Sequence, residues 1–124
     1  MKFGPRRRVQ KRPEFLEIQR TGRKIGTRNF VFILARGSRP EEPARLGITA
    51  SRRVGNSVRR SRLKRIVRAA FVAENGMLPR GFDLVVICKR DEPGLSLASV
   101  LSQWRSVRRR VHKALSELQS GPAP

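Results

Sequence analysis

Apolar residues cluster in three short runs that are rich in β-branched, aromatic and aliphatic side chains. The runs cover residues 30–35, 45–51 and 82–89, and their length and composition predict three strands. A turn-rich segment separates the first two runs, so we expect the first two strands to form a hairpin. Alternate residues of the first run share a face, so one face is expected to be core and the other is available to a cleft.

Three further segments carry apolar residues at the 3–4 spacing of an amphipathic helix. The first covers residues 13–21, and the last covers residues 97–118 behind Ser96, which can cap it. The middle helix starts behind Asn56 or the next residue and runs to about Glu74. The element order α-β-β-α-β-α predicts an α+β fold, a two-layer α/β sandwich in which helices pack on a small sheet.

The length of 124 residues suits one domain, so we expect residues 1–124 to form a single domain. Residues 1–12 hold six Lys or Arg residues and little apolar content, which predicts a flexible basic arm. Residues 119–124 predict a frayed tail.

Charge adds the strongest functional signal. The chain has 29 Lys and Arg against 9 Asp and Glu, which gives a net charge of +20. The excess positive charges repel one another in a compact protein, so we expect an anionic partner. No apolar run approaches the ~18 residues of a membrane helix, and no apolar stretch follows the basic N-terminus. We therefore expect a cytoplasmic protein that has no membrane partner.

The middle helix concentrates this charge on one side. Its apolar stripe at i, i+3, i+4 and i+7 consists of Leu63, Ile66, Val67 and Ala70. The cations at positions 62, 64, 65 and 68 fall on the opposite side, and no acid occurs between residues 51 and 73 to pair with them. A face of one sign is typical of a nucleic-acid site. An acidic lipid, an acidic protein and a plain solvated face are the alternatives.

Residues 51–68, which read SRRVGNSVRRSRLKRIVR, resemble the signature of the bacterial ribonuclease P protein family. That family shows two basic residues, a Gly-Asn pair and a helix reading Arg-Asn-Arg-x-Lys-Arg-x-x-Arg. Ser61 stands where the family has Asn. The resemblance extends to about residues 5–116.

The resemblance implies a subunit of the ribonucleoprotein endoribonuclease that removes the 5′ leader from precursor tRNA. Its partners are then a catalytic RNA and precursor tRNA, and Mg2+ held mainly by the RNA carries the chemistry. The basic helix is expected to bind the catalytic RNA through the matching positions Arg52, Arg53, Asn56, Arg60, Arg62, Lys64, Arg65 and Arg68. The leader is expected in a cleft between the first helix and the sheet, lined by Phe15, Gln19, Ile33 and Lys89.

The family pattern also bears on the fold and on the strength of the leader contact. It implies a left-handed β-α-β crossover, where general rules favour the right-handed sense. Relatives often carry aromatic residues at the positions of Gln19 and Ile33, so we expect a weaker leader contact here.

We expect neither a catalytic residue nor a metal site in this chain. A metal-dependent nuclease needs clustered carboxylates, and the acid pairs Glu41-Glu42 and Asp91-Glu92 are typical of solvated loops. His112 stands among cations, and Cys88 falls in the third strand as a small buried residue. The cations on the outer side of the last helix are open to two interpretations, a second RNA contact or a solvated face. These are Arg105, Arg108, Arg109, Arg110 and Lys113.

Two other functions compete with the family function. The first is a non-enzymatic module that binds structured RNA, of the ribosomal-protein or RNA-chaperone type, which composition alone does not separate from the first. The second is a DNA-binding regulator with residues 59–68 as its recognition helix. That function needs a helix-turn-helix, whereas predicted strands flank this helix on both sides. The sequence leaves the oligomeric state open.

Overall fold

The structure, a computed structural model, describes residues 8–37, 40–74 and 78–120. Its helices are α1 (Arg12–Thr21), α2 (Ser57–Ala73), α3 (Leu97–Ser106) and α4 (Arg108–Ser120), and a 3-10 turn covers Arg52–Val54. Its strands are β1 (Arg23–Gly26), β2 (Phe30–Arg36), β3 (Arg45–Ala50) and β4 (Phe82–Cys88). The α+β class with helices packed on a small sheet is confirmed.

The four strands form one sheet in the order β1-β2-β4-β3. Strand β2 pairs antiparallel with both β1 and β4, whereas β3 and β4 are parallel. The expected hairpin of the first two predicted strands is wrong, because β4 lies between β2 and β3. All residues of β4 except Ile87 are buried, and a strand buried on both faces belongs at the centre of a sheet. Helix α2 connects the parallel strands β3 and β4, and the left-handed sense of this crossover stays a prediction from the resemblance.

Two elements differ from the sequence prediction. Strand β1 was not predicted, because only Ile25 of its four residues is buried and so short a strand shows no period. The last helix is broken at Val107, whose φ of −109° and ψ of 16° leave the helical region. Val107, Trp104 and Val111 are all buried, so the apolar stripe continues through the break and conceals it in the sequence.

The two faces of the sheet carry separate cores. Helices α2, α3 and α4 cover one face, where the large core contains Phe30, Phe32 and Leu34 of β2. The Trp104 ring packs edge-on against Phe32 at 5.1 Å between centroids, as expected for a core residue. Helix α1 covers part of the other face, over a small core that includes Ile33.

Residues 8–12 and 119–120 have a defined backbone structure, where the sequence predicts a flexible arm and a frayed tail. The Val9 N–H donates to the Leu46 carbonyl at 3.0 Å, and Arg8 bridges Leu46 in parallel, so this segment lies along the outer edge of β3. The flexible-arm prediction is therefore wrong for residues 8–12, and residues 1–7 lie outside the described residues. Helix α4 includes residues 119 and 120 of the expected frayed tail. Residues 121–124 lie outside the described part.

Candidate nucleic-acid interface

The start of α2 is set by the Gly-Asn pair. The Asn56 side chain accepts a hydrogen bond from the Arg59 N–H at 2.9 Å, which caps the helix as predicted. A Cβ on Gly55 would lie 2.9 Å from Cδ of Arg59, so only glycine lets the Arg59 stem fold back over this turn. Buried Val54 anchors the preceding 3-10 turn, which leaves Arg52 and Arg53 exposed beside the helix start.

The apolar stripe of α2 is confirmed. Leu63, Val67 and Ala70 are buried, and Ile66 is partly buried against the same core. This packing turns Arg65 to the solvent and leaves Lys64 and Arg68 half-exposed. We name the α2 basic surface by its residues Arg52, Arg53, Asn56, Arg60, Lys64, Arg65 and Arg68.

Two arginines of the predicted site differ from the rest in their surroundings. The Arg62 guanidinium hydrogen-bonds to the Leu95 carbonyl and lies 4.0 Å from the Asp91 carboxylate, with 43% of the side chain exposed. No acid lies near the α2 cations in the sequence, and the partner of Arg62 comes instead from the loop after β4. Arg60 has a buried Nε–H that lacks a partner in the described part of the chain.

An ion triad links α1 to the other face of the sheet. The Arg45 guanidinium donates twice to the Asp83 carboxylate, at 3.0 Å each, and once to Glu14 of α1 at 2.8 Å. The hydrogen bond from Arg45 holds the pKa of Glu14 below its ordinary value. Asp83 is 7% exposed in its side chain, so the triad is anchored inside the protein and its Glu14 arm reaches the surface.

Phe15 and Ile33 have different positions under α1. The Phe15 ring is half-buried on β3, where a Cβ on Gly47 would lie 2.7 Å from Phe15 Cε1. Ile33 is fully buried under the end of α1, where a Cβ on Gly22 would lie 2.5 Å from Ile33 Cγ2. The prediction that Ile33 lines a leader cleft is therefore wrong, because α1 covers it.

Beside α1 the same face of the sheet is open. Val31 and Thr49 both pair with Ile87 in the sheet, so these three half-buried side chains share this face. The exposed Lys89 lies on the same side, since its Nζ is 3.9 Å from the place of a Cβ on Gly26. Half-buried Gln19 follows Phe15 by one helical turn. We name this region the open sheet face, which consists of Phe15, Gln19, Val31, Thr49, Ile87 and Lys89.

Val31, Thr49 and Ile87 were not among the predicted site residues. Val31 lies on the same face of β2 as Ile33, but which residues of this face stay uncovered is known only once α1 is docked. Asn29 is a second unpredicted element near Lys89. Asn29 is buried, and its backbone carbonyl accepts a hydrogen bond from the Lys89 N–H at 2.8 Å. Its side-chain amide accepts a hydrogen bond from Gln103 and donates one to the Arg90 carbonyl. This network fixes the loop that follows β4.

Acidic and nucleophilic groups serve structure where the chain is described. No group of three or more His, Cys, Asp or Glu residues in that part can hold a metal ion. Burial raises the pKa of the Cys88 thiol to about 12, which keeps it protonated and unreactive. His112 is exposed on α4. The described helices include none that is long and apolar enough to cross a membrane.

Known proteins resemble the chain over most of its length. Residues 3–119 match the family model described as Ribonuclease P. The ribonuclease P protein component of Shouchella clausii is 37% identical over 112 residues, which is 90% of this chain and 89% of that protein. The component of Thermotoga maritima is 36% identical over 88 residues, which is 71% and 74% of the two chains.

Solved structures agree with these matches. The RNase P protein from Thermotoga maritima has a TM-score of 0.68 at 29% identity and covers 83% of this chain and 96% of that one. An RNase P protein structure from Staphylococcus aureus has a TM-score of 0.72 at 24% identity, over 87% and 96% of the two chains, and supports the fold alone.

Proposed function

The chain belongs to the ribonuclease P protein family and is a subunit of the tRNA-processing ribonucleoprotein endoribonuclease, and from this premise we propose which surface binds which RNA. The ribosomal, RNA-chaperone and DNA-regulator alternatives are thereby set aside. The family's activity is generally Mg2+-dependent. The described carboxylates do not cluster, and Glu14, Asp83 and Glu92 are paired with arginines, so they do not fit a metal centre. We assign the Mg2+ mainly to the RNA, and the cytoplasmic location stays a prediction.

The catalytic RNA binds the α2 basic surface. The observation that carries this proposal is the one-signed face of α2, held outward by the buried Leu63 and Val67. Closely spaced phosphates can be neutralised there, and each neutralised phosphate releases counterions. Arg62 contributes less than its neighbours, because the Leu95 carbonyl and Asp91 already engage its guanidinium.

A salt titration tests this assignment. Replacing Arg65 and Arg68 by Ala should flatten the slope of log affinity against log salt by roughly 0.7–0.9 per lost contact with the catalytic RNA. The matched control replaces Arg12 and Arg80, which are exposed and lie outside both sites. If both double variants change the slope equally, the α2 surface is not the site.

The leader lies on the open sheet face. Half-buried Phe15 offers an aromatic ring beside Val31 and Ile87, and Lys89 offers a cation to a phosphate. Single strands bind proteins through such a pairing of stacking and charge, at about 1–3 kcal/mol per stacked base. Because Gln19 replaces a second ring and Ile33 is covered, Phe15 is the one aromatic contact that this face offers among the described residues.

The leader assignment is tested by Phe15→Ala on two ligands. Affinity for precursor tRNA with a leader of several nucleotides should fall toward the affinity for mature tRNA, which itself should not change. Equal losses for both ligands together with a large drop in Tm would show that Phe15 serves only to hold α1 on the sheet. Lys89→Ala is the companion variant, since its exposed side chain contributes little to folding.

A further inference from the structure

Helix α4 begins with a concentration of positive charge that folding does not explain. Residues 108–113 include Arg108, Arg109, Arg110, His112 and Lys113, and the first turn contains no acid. The N-terminal end of a helix favours negative charge, so three arginines there oppose local stability. Sequences break such local rules mainly where another function requires it.

Glu74 separates the cations that are neutralised from those that are free. Its carboxylate, at the end of α2, lies 2.9 Å from Arg105 and 3.5 Å from Arg108. Arg109, Arg110 and Lys113 are exposed, and within the described ranges no carboxylate oxygen lies within 4.0 Å of them. Buried Val111 and Ala114 point the opposite side of α4 into the core.

The free cations stand on the same side of the molecule as the α2 basic surface. Helices α2, α3 and α4 cover one face of the sheet, and α1 covers the other. Glu74 joins the end of α2 to both sides of the α3–α4 break, so it fixes the two basic helices relative to each other.

We propose that Arg109, Arg110 and Lys113 form a second RNA-binding surface, which binds the backbone of a double-helical segment of the same catalytic RNA. Lys113 follows Arg110 by three residues and Arg109 by four, which places the three side chains together on one side of the helix. His112 is the one aromatic residue in α4, so the surface offers charge for phosphates without the rings that single strands require. The inference rests on the proposed function, because it assigns this surface to the RNA already bound by α2.

A charge-matched pair of triple variants tests the proposal with a transcript of the catalytic RNA. The test variant replaces Arg109, Arg110 and Lys113 by Ala. The control variant removes the same charge from exposed positions off both basic helices, namely Lys11, Arg12 and Arg80. The test variant should flatten the salt slope by about 2–3, the sum over three phosphate contacts, and the control should not. The Tm of the test variant should equal or exceed that of the wild type, because the removed charges oppose the helix dipole.

The α2 double variant separates the two ways in which the idea can fail. If the α2 variant flattens the slope and the α4 variant matches its control, the inference is overturned and the proposed function stands. If neither variant differs from its control, the proposed α2 interface falls as well.

Directed cleavage identifies the RNA. Ser116 is exposed one turn after Lys113, and Ser116→Cys can carry an iron–EDTA group, while native Cys88 is buried and protected. We expect cuts in a helical segment of the catalytic RNA. The same group on exposed Ser61 of α2 should cut that RNA at different positions. Cuts only in precursor tRNA, or none while Ser61→Cys still cuts, would overturn the proposal.

Discussion

Replacing Arg45 by Met should destabilise the protein more than any other exposed or half-exposed charge change. The variant keeps the apolar stem of the side chain and removes the guanidinium that Asp83 and Glu14 share. Asp83, 7% exposed, then loses its ion-pair partner inside the protein. Breaking a buried pair from one side costs about 3–5 kcal/mol, because the remaining charge stays uncompensated.

The two arms of the triad contribute unequally. The Glu14 side chain is 34% exposed and Arg45 is 26% exposed, so solvent screens their pair and about 0.2–1 kcal/mol is expected from it. Most of the loss therefore comes from Asp83, and Arg45→Met should lower the free energy of unfolding by about 3–4 kcal/mol. Domains of this size have about 5–15 kcal/mol in all, so the variant should be folded but markedly weakened.

Urea unfolding measures the effect. Glu14→Gln should lose under about 1 kcal/mol, and the double variant Arg45→Met with Asp83→Leu should recover much of the loss, since an apolar pair needs no compensation. A loss within 1 kcal/mol for Arg45→Met, or an equal loss for Glu14→Gln, would refute this account of the triad. If Arg45→Met does not fold, the double variant still tests the explanation. A double variant that regains no stability would contradict the buried-charge explanation.

Three further outcomes follow from the same contacts. The folded-state pKa of Glu14 lies below its ordinary value of 4.5, so the stabilisation from Glu14 is present above that pH and is lost as the pH falls. The free energy of unfolding, measured in urea, should therefore decline less steeply below about pH 5 for Glu14→Gln than for the wild type. Gly47→Ala places a Cβ 2.7 Å from Phe15 Cε1, so the ring must shift, and affinity for precursor tRNA should fall while mature tRNA binding is unchanged. Sulfate should raise Tm beyond chloride at equal ionic strength, because anions that bind the folded form stabilise it; equal effects would contradict a specific anion site.

Local patterns predicted the parts of the fold whose determinants are local. The α2 stripe and the caps at Asn56 and Ser96 depend on residues within a few positions, and all three are confirmed. Strand order depends on comparing burial between distant segments, and so the hairpin was wrong. The contacts of Arg62 are not visible in local patterns for the same reason. Its partners Asp91 and Leu95 come from a loop about 30 residues away.

The leader site shows where periodicity stops being informative. Alternation placed Ile33 and Val31 on one face of β2, but it does not tell which of them α1 covers. The docking of α1 depends on the packing of Ile18 and Phe15, on the missing side chain at Gly47 and on the Glu14–Arg45 ion pair. All of these are tertiary contacts. Ile33 was therefore assigned to the cleft although it is fully buried, while Val31 and Ile87 were overlooked.

The two faces of the sheet carry different helices, and substitutions on the two faces have different effects. Apolar packing of Leu63 and Val67 holds α2, so removing its outward cations changes RNA affinity and salt dependence with little effect on folding. Buried Ile18, half-buried Phe15 and the Glu14–Arg45 ion pair together hold α1, so removing Arg45 weakens folding and one of the contacts that position Phe15. Because the surfaces lie on opposite faces and share no partner, effects of Arg65→Ala and Arg45→Met on RNA binding should add within about 0.5 kcal/mol. A larger coupling would mean that the two faces bind one continuous RNA path instead of separate segments.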